Sequence, residues 1–166
     1  MAFTLEQLAD REALYELAKR YSRGVDRLDR DEMRKAYWPD ATDNHGTFVG
    51  NAWEFVDHCM TAHLRWYSTM HCIFNHTVEL DENGTTARGE VYNVTYLHRE
   101  GFTDTWWGRY QDFYEKREGE WRILRRVCVH EADRSDPVET PFMPAAVQFR
   151  QGAWDRPAAG RPVGPD

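Results

Sequence analysis

The spacing of hydrophobic residues changes near residue 71, from a helical period to the pattern of β-strands. Before this point, apolar side chains recur every three or four residues, which places them along one face of a helix. After it, long β-type stretches alternate with short turns, and Asn83-Gly84 is a strong hairpin signal. Helices followed by a run of antiparallel strands predict an α+β fold with helices on one face of a bent sheet. A sheet that curls around a long helix leaves a conical cavity between them.

The first helix has a clear start signal and one apolar face. Thr4 and Gln7 form a Thr-x-x-Gln capping box, which predicts a helix over residues 5–28. The side chains expected on its buried face follow helical spacing: Leu14, Leu17, Ala18, Tyr21, Val25 and Leu28.

Two further helices and a short strand are expected before the sheet. Asp31 can cap a short second helix that runs through Tyr37 and ends at Pro39, because the residue before a proline resists helical geometry. A short strand is expected over residues 42–48. Asn51 is a second capping signature, and the helix behind it carries an apolar face.

The second half of the chain predicts four strands. The turn at 81–84 separates the first pair of strands, and the turn at 117–120 separates the last pair. The expected strands cover residues 71–80, 86–98, 105–116 and 121–131.

The C-terminal segment differs in composition from the rest. We expect one domain over residues 1–132 and a proline-rich arm over residues 133–166, which holds six of the seven prolines. The last ten residues have the character of a disordered tail. The middle of the arm is too apolar to be fully solvated, so we expect it to pack on the mouth of the pocket or on a neighbouring subunit. Its apolar residues are Phe142, Met143, Val147, Phe149 and Trp154.

Charge and composition limit the partners. The formal net charge of −7 argues against nucleic acid or an anionic membrane surface as the main partner. No apolar stretch reaches the ~20 residues of a membrane span, and no secretion signal is visible. The cysteines are odd in number and widely spaced, which predicts reduced thiols and a cytoplasmic protein. They are Cys59, Cys72 and Cys128.

Several kinds of catalytic centre have no sequence signature here. The pairs His58/His63 and His71/His76 are both separated by five residues, which suits a shared metal neither on a helix nor on a strand. Metal-binding motifs, nucleotide-binding glycine loops and a serine nucleophile elbow are absent, so we expect no metal and no cofactor. Acid–base chemistry on a carbon acid is what remains for an enzyme of this composition.

Asp26 and His71 are the candidate acid–base pair. An aspartate that holds a histidine ring and stabilises its charged form leaves the other ring nitrogen free to take a proton. Asp26 lies beside Val25, at the edge of the buried face of the first helix, although a fully solvated position is the alternative.

The alternation of the strand raises a conflict for His71. In a regular strand, Cys72, Phe74, Val78 and Leu80 share one face and His71 lies on the other. The apolar face should point at the core, so His71 would point away from it. A bulge or strong bend between residues 71 and 75 would remove the conflict. A sheet whose outer face is buried in an oligomer would remove it as well.

Over residues 5–132, five short motifs and the order in which they occur resemble the pattern of a known protein superfamily. The chain is similar to the SnoaL-like branch of the NTF2-like proteins, which have a cystatin-like cone fold. Within that branch, the pattern resembles scytalone dehydratase, bile-acid 7α-dehydratase and hexachlorocyclohexane dehydrochlorinase. The motifs are Tyr21-x4-Asp26, Pro39-Asp40-Ala41, Thr69-Met70-His71, Gly108-Arg109-Tyr110-Gln111-Asp112 and Gly119-Glu120-Trp121-Arg122-Ile123.

The resemblance implies roles for three residues. The histidine of the family's proton-abstracting His–Asp dyad matches His71, and its aspartate matches Asp26. The tyrosine that holds a substrate oxygen in the two dehydratases matches Tyr21, for which a plain core position is an alternative interpretation. An arginine late in the sheet of the dehydrochlorinase has possible counterparts in Lys116, Arg125 and Arg126. His130, late in the last strand, is a further candidate to line the pocket, and the choice stays open.

The leading hypothesis is a cofactor-independent, dehydratase-like lyase or an isomerase. It would act on a small, hydrophobic, cyclic or polycyclic substrate, with His71 as general base. One alternative is a small-molecule-binding protein without catalysis. Another is a component resembling the small subunit of ring-hydroxylating dioxygenases. The resemblance also implies a homo-oligomer, either a trimer or a dimer.

Overall fold

The computed structural model of the protein describes residues 2–138 and shows helices followed by a sheet. A 3₁₀ turn over His63–Arg65 joins the last helix to the long strands. The elements in chain order are α1 (Leu5–Asp26), α2 (Arg30–Arg34), β1 (Tyr37–Asn44), β2 (Val49–Asn51), α3 (Ala52–Ala62), β3 (Ser68–Leu80), β4 (Thr86–Arg99), β5 (Phe102–Arg117) and β6 (Glu120–Pro137).

Six strands form one mixed, open sheet in the order β2-β1-β6-β5-β4-β3. β1 runs parallel to β6, and every other neighbouring pair is antiparallel. α1 packs against β3 and β6, and α3 packs against β1 and β2, so the helices cover one face of the sheet. The predicted α+β class and the bent mixed sheet under N-terminal helices are confirmed.

α1 begins at the predicted capping box. The Thr4 hydroxyl accepts from the Gln7 backbone N–H at 3.1 Å, and the Gln7 side chain accepts from the Thr4 backbone N–H at 3.0 Å. Near its other end, Gly24 lies against α2 so closely that a Cβ there would be 2.6 Å from the Cβ of Met33. A side chain at position 24 would therefore force the two helices apart. None of the helices between residues 2 and 138 combines the length and apolar character needed to cross a membrane.

The short helix and the first strand differ from the prediction. Asp29, and not Asp31, caps α2 by accepting from the Glu32 backbone N–H at 3.0 Å. α2 ends at Arg34, and Tyr37 already begins β1, which therefore starts five residues before the predicted strand. The reason is tertiary, because β1 pairs with the distant strand β6. Pro39 is tolerated there because it lies where the β1–β6 register is interrupted.

The predicted hairpins are present, with longer strands. β3 begins at Ser68, three residues before the predicted start, and β6 continues to Pro137, six residues past the predicted end. Phe102 at the start of β5 pairs with Pro137, so the first residues of the expected arm belong to the sheet. The remainder of that arm, residues 139–166, lies outside the described residues, and its packing stays a prediction.

A buried ion pair lies in the core beneath the helices. The Arg126 guanidinium donates to both carboxylate oxygens of Asp112 at 2.7 Å, and both side chains are fully buried. The guanidinium carbon also lies 4.4 Å from the ring centroid of Tyr21 and 4.2 Å from that of Tyr110. The pair thus supports the aromatic residues above it through charge–ring contacts.

Candidate active site

Asp26 and His71 meet where α1 ends and β3 begins. Nδ1 of His71 lies 2.6 Å from Oδ1 of Asp26, and the His71 backbone N–H donates to Oδ2 at 2.8 Å. The hydroxyl of Thr69 donates to Oδ1 at 2.8 Å. The side chains are largely buried, with exposed fractions of 8% for His71 and 13% for Asp26. Because Asp26 engages Nδ1, Nε2 is the ring atom left to exchange a proton.

A β-bulge in β3 turns His71 toward the helices. Pairing with β4 runs regularly from Ser68 to Ile73, shifts by one residue, and resumes at His76. Phe74 and Asn75, between these points, are exposed. Before the bulge the odd-numbered residues face inward, and after it the even-numbered residues do, since Val78 is buried. The predicted inward orientation of Cys72 and Phe74 is therefore wrong.

A cavity of about 220 Å³ lies between the helices and the concave face of the sheet. Aromatic and aliphatic side chains share its walls with four histidines, which are His45, His58, His63 and His71. The aromatic side chains on its walls come from helices, from strands and from the connection before β3: Tyr21, Phe55, Trp66, Trp106 and Tyr110. The apolar pocket expected from the sequence is thus present, and the Asp26–His71 pair lies at its edge.

Tyr21 is both a core aromatic and a residue of the cavity wall. Its side chain is buried, and its ring packs edge-on against that of His71 with the centroids 6.3 Å apart. Burial raises the pKa of the Tyr21 hydroxyl well above its usual value, so the group keeps its proton at neutral pH. The hydroxyl lies 3.3 Å from Nε2 of His45.

A second histidine–aspartate pair borders the same cavity and was not predicted. His45 directs Nδ1 at Oδ1 of Asp43, which is 1% exposed and also accepts from the Tyr37 hydroxyl at 2.7 Å. The ring of His45 stacks on Phe55 with the centroids 4.2 Å apart. A signal was available in the sequence, because residues 43 and 45 are two apart in a predicted strand and would share one face.

His63 is a third imidazole on the cavity wall. Burial, followed by the nearby charge of His71, lowers the pKa of His63 to about 3. Its ring lies 6.0 Å from that of His71 and nearly parallel to it, and within the described residues its Nδ1 has no hydrogen-bond partner. His63 is therefore neutral at physiological pH.

Comparison with known proteins gives the family. The sequence profile of the SnoaL-like domain matches residues 6–127, which is most of the chain. The chain belongs to the SnoaL-like family. The resemblance drawn from the five motifs is confirmed by this match. No curated protein matches the sequence of this SnoaL-like protein significantly.

Solved structures share the fold of this SnoaL-like protein. Hexachlorocyclohexane dehydrochlorinase LinA type 2 has a TM-score of 0.74 and 20% identity, covering 86% of this chain and 99% of that one. A protein described as a candidate scytalone dehydratase from Novosphingobium aromaticivorans has a TM-score of 0.71 and 16% identity, covering 89% and 100%. A cystatin-like protein from Nostoc punctiforme has a TM-score of 0.61 and 20% identity, covering 79% and 96%. At these identities the likeness shows the fold alone.

The four late cationic candidates do not line the cavity of this SnoaL-like protein. Lys116 pairs with Asp10 at 2.9 Å, and Arg126 lies beneath the cavity in its ion pair with Asp112. Arg125 and His130 are exposed, and neither belongs to the cavity wall. β6 contributes Cys128 to the wall instead.

The described residues of the cavity offer protonated, neutral groups and no cluster that could hold a metal ion. Burial raises the pKa of the Cys128 thiol to about 12, so it is not a thiolate at neutral pH. Within residues 2–138, no three His, Cys, Asp or Glu side chains are grouped so that they could hold a metal ion. The site of this SnoaL-like protein can therefore bind an apolar ring and transfer protons with its imidazoles.

Proposed function

We propose that this SnoaL-like protein is a cofactor-independent lyase or isomerase that removes a proton from carbon in a small cyclic substrate. The observation that carries the proposal is the pair formed by Asp26 and His71, joined at 2.6 Å beside an apolar cavity. His71 acts as general base, and Asp26 orients the ring and stabilises the imidazolium that forms.

The hydrogen bonds of Asp26 prepare His71 for this step. With Nδ1–H donated to the carboxylate, the neutral tautomer presents the lone pair of Nε2 to the substrate. After proton transfer, the imidazolium remains beside a carboxylate in a largely buried site, where the attraction is stronger than in water. A positioned acid–base group contributes about 10²–10⁴-fold, which suits a C–H bond already acidified by a neighbouring carbonyl.

The cavity favours a ring-sized, apolar substrate. Its volume of about 220 Å³ is below the ~300–1,000 Å³ typical of drug-sized ligand sites, so one or two fused rings are a reasonable upper size. The aromatic walls favour flat or cyclic molecules by contact with ring faces. The hydroxyl of Tyr21, held beside His45, is the polar group on the wall that we assign to a substrate oxygen.

The structural neighbours support an elimination. LinA is named for the loss of hydrogen chloride from hexachlorocyclohexane, and the Novosphingobium aromaticivorans protein is named for the loss of water from scytalone. Both names describe an elimination, in which a hydrogen leaves together with a second group. The same chemistry is consistent with a base such as His71 beside a small apolar cavity.

Hydrogen exchange in D₂O tests the proposal with a simple probe. We expect the protein to catalyse exchange at the benzylic α-carbon of 2-tetralone, followed by NMR as loss of that proton signal. His71→Gln should lower the rate by about 10²–10⁴-fold, since the general base is removed. His130→Gln is the matched control, because His130 is exposed and outside the cavity wall.

The alternative of ligand binding without catalysis predicts a different result. In that case 2-tetralone would perturb the NMR signals of cavity residues, but the wild-type protein would exchange its protons no faster than buffer. The proposal is also contradicted if His71→Gln exchanges the ketone at the wild-type rate.

A further inference from the structure

The pair formed by Asp43 and His45 has the same architecture as the proposed catalytic pair. We propose that His45 is a second acid–base residue, which donates a proton to the oxygen that leaves the substrate while His71 takes the proton from carbon. The inference rests on the proposed function and deepens it, because it assigns the base and the acid to two different imidazoles.

Asp43 fixes the orientation of His45. One carboxylate oxygen accepts from the Tyr37 hydroxyl at 2.7 Å, and the other faces Nδ1 of His45. Asp43 is almost completely buried and the His45 side chain is 18% exposed, so the ring has one shielded carboxylate partner at Nδ1. The other ring nitrogen, Nε2, is hydrogen-bonded to the Tyr21 hydroxyl at 3.3 Å, so a substrate oxygen reaches it through that hydroxyl or by taking its place.

His45 and His71 reach the same cavity from near opposite edges of the sheet. His45 follows β1, which is next to the β2 edge, whereas His71 lies on β3, the strand at the other edge. Tyr21 stands between them, with its ring centroid 6.3 Å from that of His45 and 6.3 Å from that of His71. Both imidazoles line the same cavity, so one substrate can touch a base and an acid in different places.

The two imidazoles together can eliminate water from a β-hydroxy ketone. Nε2 of neutral His71 takes the α-proton, and the C–H electron pair forms the new carbon–carbon double bond. The C–O bond breaks, and the departing oxygen takes a proton from Nε2 of protonated His45, either directly or through the Tyr21 hydroxyl. Water and the enone leave, and solvent returns His71 to the neutral form and His45 to the protonated form.

A structural role for His45 is the competing explanation. Its backbone holds the β1–β2 connection, since the His45 N–H donates to the Phe48 carbonyl at 2.9 Å. The side-chain contacts with Asp43 and Phe55 also add packing. If His45 is only structural, its removal slows every reaction of the site alike. If it is the acid, its removal slows most the reaction whose leaving group most needs a proton.

Two substrates that give the same enone separate these roles. 3-Hydroxycyclohexanone must lose hydroxide, which needs a proton, whereas 3-acetoxycyclohexanone loses acetate, a stable anion. In His45→Gln we expect the ratio of the acetate rate to the hydroxide rate to rise by about 10²-fold or more over wild type. In His130→Gln the ratio should stay at the wild-type value. Asp43→Asn, which keeps the shape of the side chain, should shift the ratio in the same direction as His45→Gln.

The outcomes are distinguishable from those of the proposed function. If wild type exchanges 2-tetralone protons but His45→Gln keeps the wild-type ratio, or if wild type fails to dehydrate 3-hydroxycyclohexanone, the role of His45 is overturned and that of His71 stands. If wild type exchanges no protons at all, the proposed function itself fails. Thermal unfolding followed by circular dichroism identifies a variant that does not fold, and Asp43→Asn then decides the question.

Discussion

The Asp26 carboxylate hydrogen-bonds both the ring and the backbone N–H of His71. Oδ1 receives the ring Nδ1 at 2.6 Å, and Oδ2 receives the backbone N–H at 2.8 Å. One carboxylate at the end of α1 therefore fixes the start of β3 and the rotation of the imidazole together. A group held in this way needs little rearrangement before it accepts a proton, which is the benefit of a preorganised site.

Asp26→Asn should reduce proton abstraction strongly with little change in fold. An amide has only one acceptor oxygen, so its NH₂ group would face a donor of His71, and the negative charge that stabilises the imidazolium is lost. We expect a decrease of about 10²–10⁴-fold in 2-tetralone exchange. The matched variant Thr69→Val removes only the hydroxyl that donates to Oδ1 at 2.8 Å and should have a much smaller effect. Equal rates in wild type and Asp26→Asn would contradict the role of the carboxylate.

Deleting Asn75 should remove the bulge that orients His71. The deletion makes the pairing of β3 with β4 regular, so the side chains before and after residue 75 can no longer both keep their present faces. Either His71 leaves Asp26 or Val78 leaves the core, and both exchange activity and stability should fall. Asn75→Ala keeps the residue count and should retain the activity. An active deletion variant would show that the bulge does not set the orientation.

Asp112→Asn should destabilise the protein more than any surface charge change. It leaves the fully buried Arg126 without a carboxylate, and breaking a buried pair from one side costs about 3–5 kcal/mol. The free energy of unfolding from urea titration measures the loss. Asp104→Asn is the control, because Asp104 pairs with the more exposed Arg99 and should cost much less. Similar losses in the two variants would argue against this account of the core.

His63→Phe should make the protein more resistant to acid. The pKa of His63 is lowered to about 3 in the folded state, against 6.5 for an unperturbed histidine. The unfolded state therefore binds the proton first, and stability present above pH 6.5 is lost as the pH falls toward 3.

At pH 5, this difference corresponds to about 1–2 kcal/mol, after allowance for partial exposure of the ring. Urea unfolding at pH 8 and pH 5 should show a smaller acid loss in His63→Phe than in wild type. His130→Phe, at an exposed position, should keep the wild-type pH dependence. An unchanged acid loss in His63→Phe would mean that His63 is not the group responsible.

Local signals in the sequence were sufficient for much of the fold. The capping box at Thr4 and the cap at Asn51 placed α1 and α3, because a cap is a hydrogen bond between neighbours in the chain. The Asn83-Gly84 turn placed the first hairpin for the same reason. α2 was placed with the wrong cap and end, since Asp29 and Asp31 are both acceptable capping residues and the choice between them depends on tertiary contacts.

The sequence indicated which two residues form the Asp26–His71 pair, but it did not indicate the geometry of the pair. Its members could be named from the chemistry of a His–Asp dyad and from the motif order. The direction of the His71 ring depended on the one-residue bulge before His76; the strand periodicity showed that a bulge or bend was needed there, but not that the strand has one. Asp43 and His45 were not predicted, because nothing in the predicted strand indicated that its inner face borders the cavity lined by His71.

The sequence by itself determined the α+β order, the capped helices, the hairpins and the family. These features depend on hydrogen bonds between near neighbours and on the hydrophobic spacing, both of which can be read along the chain. Only the tertiary structure decided which way His71 points and that His45 shares its cavity. Those outcomes depend on the β3–β4 register and on the parallel pairing of β1 with β6, which join residues far apart in sequence.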